Sequence, residues 1–308
     1  MRLLPTRLRR QDAGADPAAG DRGASPVAFV FTAGGSLGAM QVGAARALLE
    51  AGVVPDLVLG CSVGALNATF LAADPALERL DRLEDIWCSL RTRDVFGAGR
   101  HRTVARVILG RDHVADPRPL RQLIRRFSPV ADLAHTAVPC EVVTTDLEAG
   151  RACYWSSGDA TELLMASACL PGMFPPVRLA SPSGGSSLHV DGGVLVHAPV
   201  PRALELGAGS VYVLDASEAG QPGDGPGGRL SALGILLRSF AVARQALQDL
   251  EAPRPAAHQR IRRIGLGEPT GVDHRDFSRT AWLIERGYEA ARAVLHDDVA
   301  APHHAAVA

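Results

Sequence analysis

Residues 57–69 read LVLGCSVGALNAT, a short apolar run that stops at a glycine and resumes as an alanine-rich segment. The pattern Gly-x-Ser-x-Gly between a strand and a helix places its serine on a turn so tight that only glycine avoids clashes two residues before and after it. Ser62 is therefore a candidate nucleophile, and Gly60 and Gly64 are the two glycines of its elbow. A small-residue turn around a buried serine explains the same five residues, so the pattern needs support from the rest of the chain.

The composition excludes several classes of protein. The 308 residues are 47% hydrophobic and 21% charged, as in a soluble globular protein. The net charge is −1 and no basic run follows the first ten residues, so we expect no nucleic-acid partner. No apolar run is long enough to span a membrane. Five widely spaced cysteines without a C-x-x-C pair argue against a disulfide framework and a zinc site, which favours a cytoplasmic protein and leaves transient contact with a membrane surface open.

Short apolar runs bounded by glycine, proline and polar clusters predict a series of buried strands between helices. The first two predicted strands are residues 27–32 and the apolar run before Gly60. After them, we expect strands at residues 140–145, 151–155, 177–180, 188–190, 210–214 and 261–264. Helices are predicted at residues 74–90, 103–127 with an interruption near 112–119, 161–168, 199–206, 229–250 and 278–296. Because buried strands alternate with helices, the expected fold is a three-layer α/β/α domain around a mainly parallel sheet.

The ends of the chain differ from its middle. Residues 1–25 carry arginines but no apolar signal-peptide region, which predicts a disordered N-terminal arm. Residues 299–308 are expected to form a flexible tail. We therefore expect one domain, covering residues 26–298.

A glycine-rich loop at residues 33–38, AGGSLG, follows the predicted first strand at residues 27–32 and opens a helix at residues 39–51. A dinucleotide cradle needs Gly-x-Gly-x-x-Gly, and position 33 is alanine. A turn that only lets the helix approach the strand explains the glycines, but not the Gly-x-Ser-x-Gly strand that follows next.

An oxyanion hole explains both motifs. The crossover between sequential parallel strands is right-handed, so both loops lie at the carboxyl edge of the sheet. The backbone amides of Gly34, Gly35 and Ser36, with that of Val63, would then converge near Ser62 and stabilise an oxyanion.

A base must take the proton of Ser62. Asp191 ends a predicted strand and is followed by two glycines that leave its carboxylate uncrowded. If a partly dry pocket raises its basicity, Asp191 can serve in a two-residue dyad. A Ser-His-Asp esterase is the alternative, with His189, His197 or His274 as the base. We favour the dyad, because no histidine lies in a glycine-flanked strand end.

Several blocks of the chain resemble the patatin-like phospholipase family. The resemblance covers most of residues 27–295 and includes the glycine loop, the Gly-x-Ser-x-Gly motif and the Asp-Gly-Gly motif. The matching blocks are GSLGAMQVGAARALLEAGVVPDLVLGCSVGALNA (35–68), TDLEAGRACYW (145–155), ASACLPGMFPPV (166–177), DGGVLVHAPV (191–200) and DFSRTAWLIERGYEAA (276–291).

This resemblance implies a lipid acyl hydrolase of the phospholipase A or esterase type. Ser62 would be the nucleophile and Asp191 the base, and a lipid or acyl ester would be hydrolysed through an acyl-enzyme without calcium or another cofactor. The apolar loop at residues 170–176 and the helical segment at residues 74–127 would form the acyl-chain pocket. The sequence carries no signal for an oligomeric state.

Three residues depart from the family pattern. Ala33 replaces the first glycine of the loop, Leu37 stands where many members carry arginine or lysine, and His197 stands where asparagine is common. The missing cation would leave the oxyanion to backbone amides and the helix dipole. A catalytically weak lipid-binding or regulatory protein on the same scaffold is therefore the second hypothesis.

Overall fold

The computed structural model describes residues 25–97, 113–180, 185–216, 255–267 and 271–300, with five single positions between 235 and 246. The strands of these residues form one eight-stranded sheet. They are β1 Val27–Phe31, β2 Leu57–Cys61, β3 Cys140–Asp146, β4 Arg151–Trp155, β5 Val177–Ala180, β6 Ser186–Asp191, β7 Ser210–Asp215 and β8 Arg260–Gly265.

Helices cover both faces of this sheet. They are α1 Ala39–Glu50, α2 Val63–Ala72, α3 Leu77–Ser89, α4 Thr92–Phe96, α5 Pro117–Phe127, α6 Ala160–Ser167, α7 Val200–Glu205 and α8 Thr280–Ala300, with short 3-10 turns at Gly35–Gly38, Leu133–His135 and Gly192–Val194. None of the helices in the described part of the chain has both the length and the hydropathy of a membrane span.

The sheet is parallel at its centre. Its order is β5-β6-β3-β2-β1-β7-β8, with β4 paired to β3 beside this path. Strands β3, β2, β1, β7 and β8 run parallel, whereas β4, β5 and β6 pair antiparallel. The predicted fold class is confirmed, and the adjacency of β1 and β2 puts the loops that follow them side by side.

Alternation along β1 explains why its residues are apolar throughout. Phe29 and Phe31 face one helical layer, whose core includes buried side chains of α1, α2, α3 and α8. Ala28 and Val30 face the other side, where α7 covers the sheet. Since both faces are buried, no position in the strand is left for a polar side chain.

The predicted strands and most predicted helices are present within a few residues of their expected bounds. The short helix α4 was not predicted. The predicted helix at residues 229–250 lies almost wholly outside the described residues, as do residues 103–112, the arm at residues 1–24 and the tail after residue 300.

Helices α1 and α8 approach each other backbone to backbone through two glycines. A Cβ added at Gly43 would lie 1.8 Å from the Ile284 carbonyl oxygen. A Cβ added at Gly287 would lie 1.9 Å from the Met40 carbonyl oxygen. Any larger side chain at either position would push the helices apart, and α1 follows directly on the glycine-rich loop.

We therefore expect Gly43→Ala to lower the free energy of unfolding by about 2 kcal/mol or more, because the added methyl group overlaps fixed backbone. This loss outweighs the roughly 1 kcal/mol by which alanine favours a helix over glycine. Urea unfolding measures it. Gly265→Ala is the matched control, since its nearest contact would be an ordinary 3.6 Å; equal stability of the two variants would contradict the close approach.

Candidate active site

Ser62 lies on a strained turn between β2 and α2. Its φ is 57° and its ψ −127°, and within the described residues it is the one non-glycine residue with a positive φ. A Cβ at Gly60 would lie 2.4 Å from the Gly64 carbonyl oxygen, and a Cβ at Gly64 would lie 2.4 Å from that of Phe31. The two glycines therefore let the turn close on itself and pack against the end of β1.

The side chain of Ser62 donates a hydrogen bond to Asp191. Its Oγ lies 2.6 Å from Asp191 Oδ2. Asp191 is the last residue of β6 and is only 3% exposed. Its other oxygen, Oδ1, accepts the Gly193 N–H at 2.7 Å. A Cβ at Gly192 would lie 2.6 Å from the Val143 carbonyl oxygen, so this glycine lets the end of β6 pack closely on β3, the strand that lies between β6 and β2.

Ser167, which sequence reasoning did not single out, holds the backbone of the elbow. Its Oγ accepts the Ser62 N–H at 2.9 Å and donates to the Val143 carbonyl at 2.7 Å. Two residues later the Cys169 carbonyl accepts the Asp191 N–H at 3.0 Å. The last residue of α6 thus contacts Ser62, and the segment just after the helix contacts Asp191. A small buried serine in an apolar segment gives no sequence signal for such a role.

The glycine-rich loop lies beside this pair, but one of its three predicted donors points elsewhere. The Ser36 N–H donates to the His274 carbonyl at 2.8 Å, which corrects its predicted role at the oxyanion. For the N–H groups of Gly34 and Gly35 the described residues offer no hydrogen-bond acceptor. A Cβ at Gly38 would lie 2.8 Å from a methyl group of Val63, so the loop packs directly on the start of α2.

A buried polar network holds the loop from the core side. Trp87 Nε1 donates to Asn67 Oδ1 at 2.9 Å, and Asn67 Nδ2 donates to Gln41 Oε1 and to the Gly38 carbonyl at 2.8 and 2.9 Å. Gln41 Nε2 in turn donates to the Thr32 carbonyl at 2.9 Å. Each amide of the network uses both its oxygen and its nitrogen, as buried polar groups require.

The sequence also matches a known protein family. The family model described as Patatin-like phospholipase matches residues 29–204, more than half of the chain.

The chain belongs to the patatin-like phospholipase family.

Its similarity to individual members is distant. Patatin-like phospholipase domain-containing protein 7 of Rattus norvegicus is 26% identical over 189 residues, which are 61% of this chain and 13% of that protein. The uncharacterized NTE family protein Mb1092c of Mycobacterium bovis is 29% identical over 233 residues, 74% of this chain and 59% of that protein. The chain thus spans only a small part of the mammalian relative's length.

Among solved structures, human GIVD cytosolic phospholipase A2 is similar at a TM-score of 0.45 and 12% identity, covering 88% of this chain and 63% of that chain. This similarity is too low to carry an inference about the site.

Each departure from the patatin-like pattern has a place in the structure. Ala33 keeps a φ outside the positive range, and its N–H donates to the His197 carbonyl at 3.3 Å. Leu37 is 1% exposed and packs in the core beside α1. His197 Nε2 lies 3.6 Å from Asp215 Oδ1 at the end of β7. Asp215 also binds Arg263, so a charged group stands behind the loop.

His189 belongs to a hydrogen-bonded chain next to the site. Trp155 Nε1 donates to Thr144 Oγ1 at 2.8 Å, and Thr144 Oγ1 lies 3.0 Å from His189 Nδ1. Ser187 Oγ lies 2.9 Å from His189 Nε2 and donates to Asp146 Oδ2 at 2.9 Å. Because Ser187 gives its hydrogen to a carboxylate, it accepts from Nε2–H, and Nδ1 accepts from Thr144.

Both ring nitrogens of His189 are therefore engaged inside this chain of bonds, and neither serves Ser62. Burial lowers the pKa of His189 below its ordinary value, partly opposed by the charge of Asp146. Hydrogen bonds from the Ala149 N–H and from Ser187 hold the pKa of the Asp146 carboxyl below its usual range. Near pH 7 the imidazole is therefore neutral, and Ser187 links it to an ionised Asp146.

A thiol beside the site does not compete with Ser62. Burial, with a contribution from the charge of Asp191, raises the pKa of Cys169 to about 12. The thiol is therefore neutral near pH 7 and a poor nucleophile. Within the described residues no three His, Cys, Asp or Glu side chains form a group that could hold a metal ion.

The apolar loop at residues 170–176 packs beside the pair. Met173 and Phe174 are buried, and the Phe174 ring stacks on Phe96 of α4 with centroids 5.8 Å apart. The Ala115 N–H donates to the Met173 carbonyl at 2.8 Å, so the loop is fastened to the segment before α5. Its position next to Cys169 puts an apolar surface close to Asp191.

The lowered pKa of His189 predicts a pH effect on stability. Unfolding releases the imidazole to its ordinary pKa, so the unfolded chain binds protons more tightly than the folded chain. The contribution of the buried imidazole to the free energy of unfolding is fully present above about pH 6.5, and it is lost as the pH falls toward the pKa of His189 in the folded protein. We expect the free energy of unfolding to fall less steeply between pH 7.5 and 5.5 in His189→Gln than in the wild type, as measured by urea unfolding. Identical slopes would contradict the buried neutral imidazole.

Proposed function

We propose that the chain hydrolyses acyl esters of lipids through a Ser62–Asp191 dyad. The observation that carries this proposal is the 2.6 Å hydrogen bond from a serine on a strained strand-to-helix turn to a buried carboxylate. A buried carboxylate that accepts the hydroxyl hydrogen is placed to remove it during attack. Membership of the patatin-like phospholipase family supports the same reaction class.

In the proposed reaction, Ser62 Oγ attacks the ester carbonyl carbon while its proton passes to Asp191 Oδ2. The carbonyl oxygen takes the electron pair and becomes the oxyanion of a tetrahedral intermediate. When this collapses, the bond to the alcohol oxygen breaks and Asp191 returns the proton to the departing alcohol. Water then attacks the acyl-enzyme with Asp191 again taking the proton, and the acid leaves as Ser62 is restored.

Backbone amides are the proposed donors to the oxyanion. Gly34 and Gly35 have N–H groups without an acceptor among the described residues, and Val63 opens α2, where first-turn N–H groups lack an intrahelical acceptor. The dipole of α2 adds a partial positive charge at the same place. Since Leu37 is buried in the core, the stabilisation rests on these amides without a side-chain cation.

The proposed substrate is a lipid or another acyl ester, bound with its chain along apolar surface. We assign that surface to the loop at residues 170–176 and to helices α4 and α5, whose apolar side chains share one core cluster with it. The relatives that match include proteins named as phospholipase domain-containing, which supports a phospholipid substrate. Because such lipids reside in membranes, we propose transient contact with a membrane surface.

Steady-state hydrolysis of a short-chain p-nitrophenyl ester, in the presence of a chelator, tests the dyad. We expect Ser62→Ala to fall to the uncatalysed background, and Asp191→Asn to lower kcat by roughly 10²–10⁴-fold, the range that a general base contributes. His189→Gln is the matched control, because its side chain lies outside the proposed machinery, and it should keep nearly full activity.

Two outcomes would contradict this assignment. Activity retained by Ser62→Ala in a clean preparation would exclude Ser62 as nucleophile. Loss of activity in His189→Gln with a normal fold, while Asp191→Asn stays active, would favour the Ser-His-Asp alternative.

The second candidate function is a lipid-binding protein with little or no turnover, which the burial of Leu37 in place of a cation favours. Such a protein would sediment with phospholipid vesicles yet leave their acyl chains intact. We expect the wild-type chain to release fatty acid from the vesicles and Ser62→Ala to release none. Vesicle binding without any release by the wild type would favour the binding protein.

A further inference from the structure

The glycine-rich loop has an outer partner that lies beyond the residues matched by the family model. His274 Nδ1 lies 3.0 Å from the Gly34 carbonyl oxygen. The Ser36 N–H donates to the His274 carbonyl at 2.8 Å, and Ser36 Oγ donates to the Asp273 carbonyl at 2.9 Å. Three hydrogen bonds therefore join the loop to a segment about 240 residues later in the chain.

This segment is itself anchored. Val272 and Phe277 are buried in the core cluster around α1, and the Phe277 ring stacks on Trp87 with centroids 5.9 Å apart. Thr92 Oγ1 donates to the Arg275 carbonyl at 2.7 Å. His274 therefore reaches the loop from a backbone that is tied to the core on both sides.

The hydrogen bond has a fixed direction. A carbonyl oxygen can only accept, so Nδ1 carries the hydrogen and His274 donates to Gly34. In a trans peptide the carbonyl and the N–H of the next residue point to opposite sides. Holding the Gly34 carbonyl toward His274 therefore directs the Gly35 N–H away from His274.

The peptide between Gly34 and Gly35 is held by two hydrogen bonds, because the Gly34 carbonyl also accepts the Leu37 N–H at 3.2 Å. Both flanking residues are glycines, so rotation of the peptide plane meets no Cβ, and Gly35 already has a φ of +57°. A Cβ at Gly35 would also lie 2.5 Å from the His274 carbonyl oxygen, so glycine is required for the segment to approach. Gly35 thus permits both the close approach of residue 274 and the peptide rotation that the two hydrogen bonds restrain.

We propose that His274 is a positioning residue for the oxyanion hole: its Nδ1–H holds the Gly34 carbonyl and thereby presents the Gly35 N–H to the oxyanion. This inference rests on the proposed hydrolase function. It assigns to His274 a role that is different from the base of a Ser-His-Asp triad.

Three substitutions of His274 distinguish a role in positioning the Gly34 carbonyl from general support of the loop. Asparagine places an amide N–H on Cγ, close to where His274 carries Nδ1, whereas glutamine places it one bond further out and alanine removes it. We expect His274→Ala and His274→Gln to lower kcat for the p-nitrophenyl ester by roughly 10- to 100-fold, below the loss for deleting an oxyanion donor outright. KM should stay within about twofold, because the lost interaction is made in the transition state.

His274→Asn should recover kcat to within about threefold of the wild type. The control is His296→Ala, which replaces an exposed histidine and should leave kcat and KM unchanged. Wild-type kcat in His274→Ala would overturn the proposal. Equal losses in the asparagine and glutamine variants would also overturn it, because they would indicate general disruption of the loop. If His274→Ala fails to fold, as judged by circular dichroism, the comparison of kcat between His274→Asn and His274→Gln still tests the proposal.

A second readout does not depend on turnover. The backbone amide resonance of Gly35 should shift in His274→Ala and His274→Gln and stay near its wild-type position in His274→Asn. An unchanged Gly35 resonance in His274→Ala would refute the contact even in an inactive protein. Absence of turnover in the wild type with the expected pattern of shifts would instead mean that the proposed hydrolase function has failed while the loop contact stands.

Discussion

The positive φ of Ser62 is the constraint on which the rest of the site depends. A non-glycine residue in a sparsely populated backbone region costs about 1–3 kcal/mol and persists only where its surroundings hold it. Here Gly60 and Gly64 remove the steric obstacles, and Ser167 accepts the Ser62 N–H. With the backbone held in this way, the hydroxyl leaves the plane of the sheet and meets the carboxylate of Asp191.

Sheet topology brings the other parts to that point. Because β1 and β2 are parallel neighbours, the glycine loop and the serine turn leave the same edge side by side. Strand β6 runs antiparallel to β3, which brings its last residue, Asp191, to this edge from the opposite direction. The loop is then held from three sides: by Asn67 and Gln41 in the core, by the end of β7, and by the segment at residues 273–274.

Local pattern was enough to predict the strands, the elbow and the placement of Asp191 at a strand end. These features depend on residues within a few positions of one another, such as the glycines two residues from Ser62. The roles of Ser167 and His274 depend on contacts with residues about 105 and 240 positions away, which no local pattern encodes. The same limit explains Ser36: local pattern predicts its N–H at the oxyanion, but the acceptor of that N–H, the His274 carbonyl, lies about 240 positions away.

The most direct test of the account is the reaction of the protein with a fluorophosphonate, followed by peptide mapping of the adduct by mass spectrometry. We expect one stoichiometric adduct on Ser62, formed much more slowly in Asp191→Asn because the hydroxyl then lacks its base. An adduct on another residue, or no adduct on a folded wild-type chain, would contradict the claim that Ser62 and Asp191 form a working nucleophile and base.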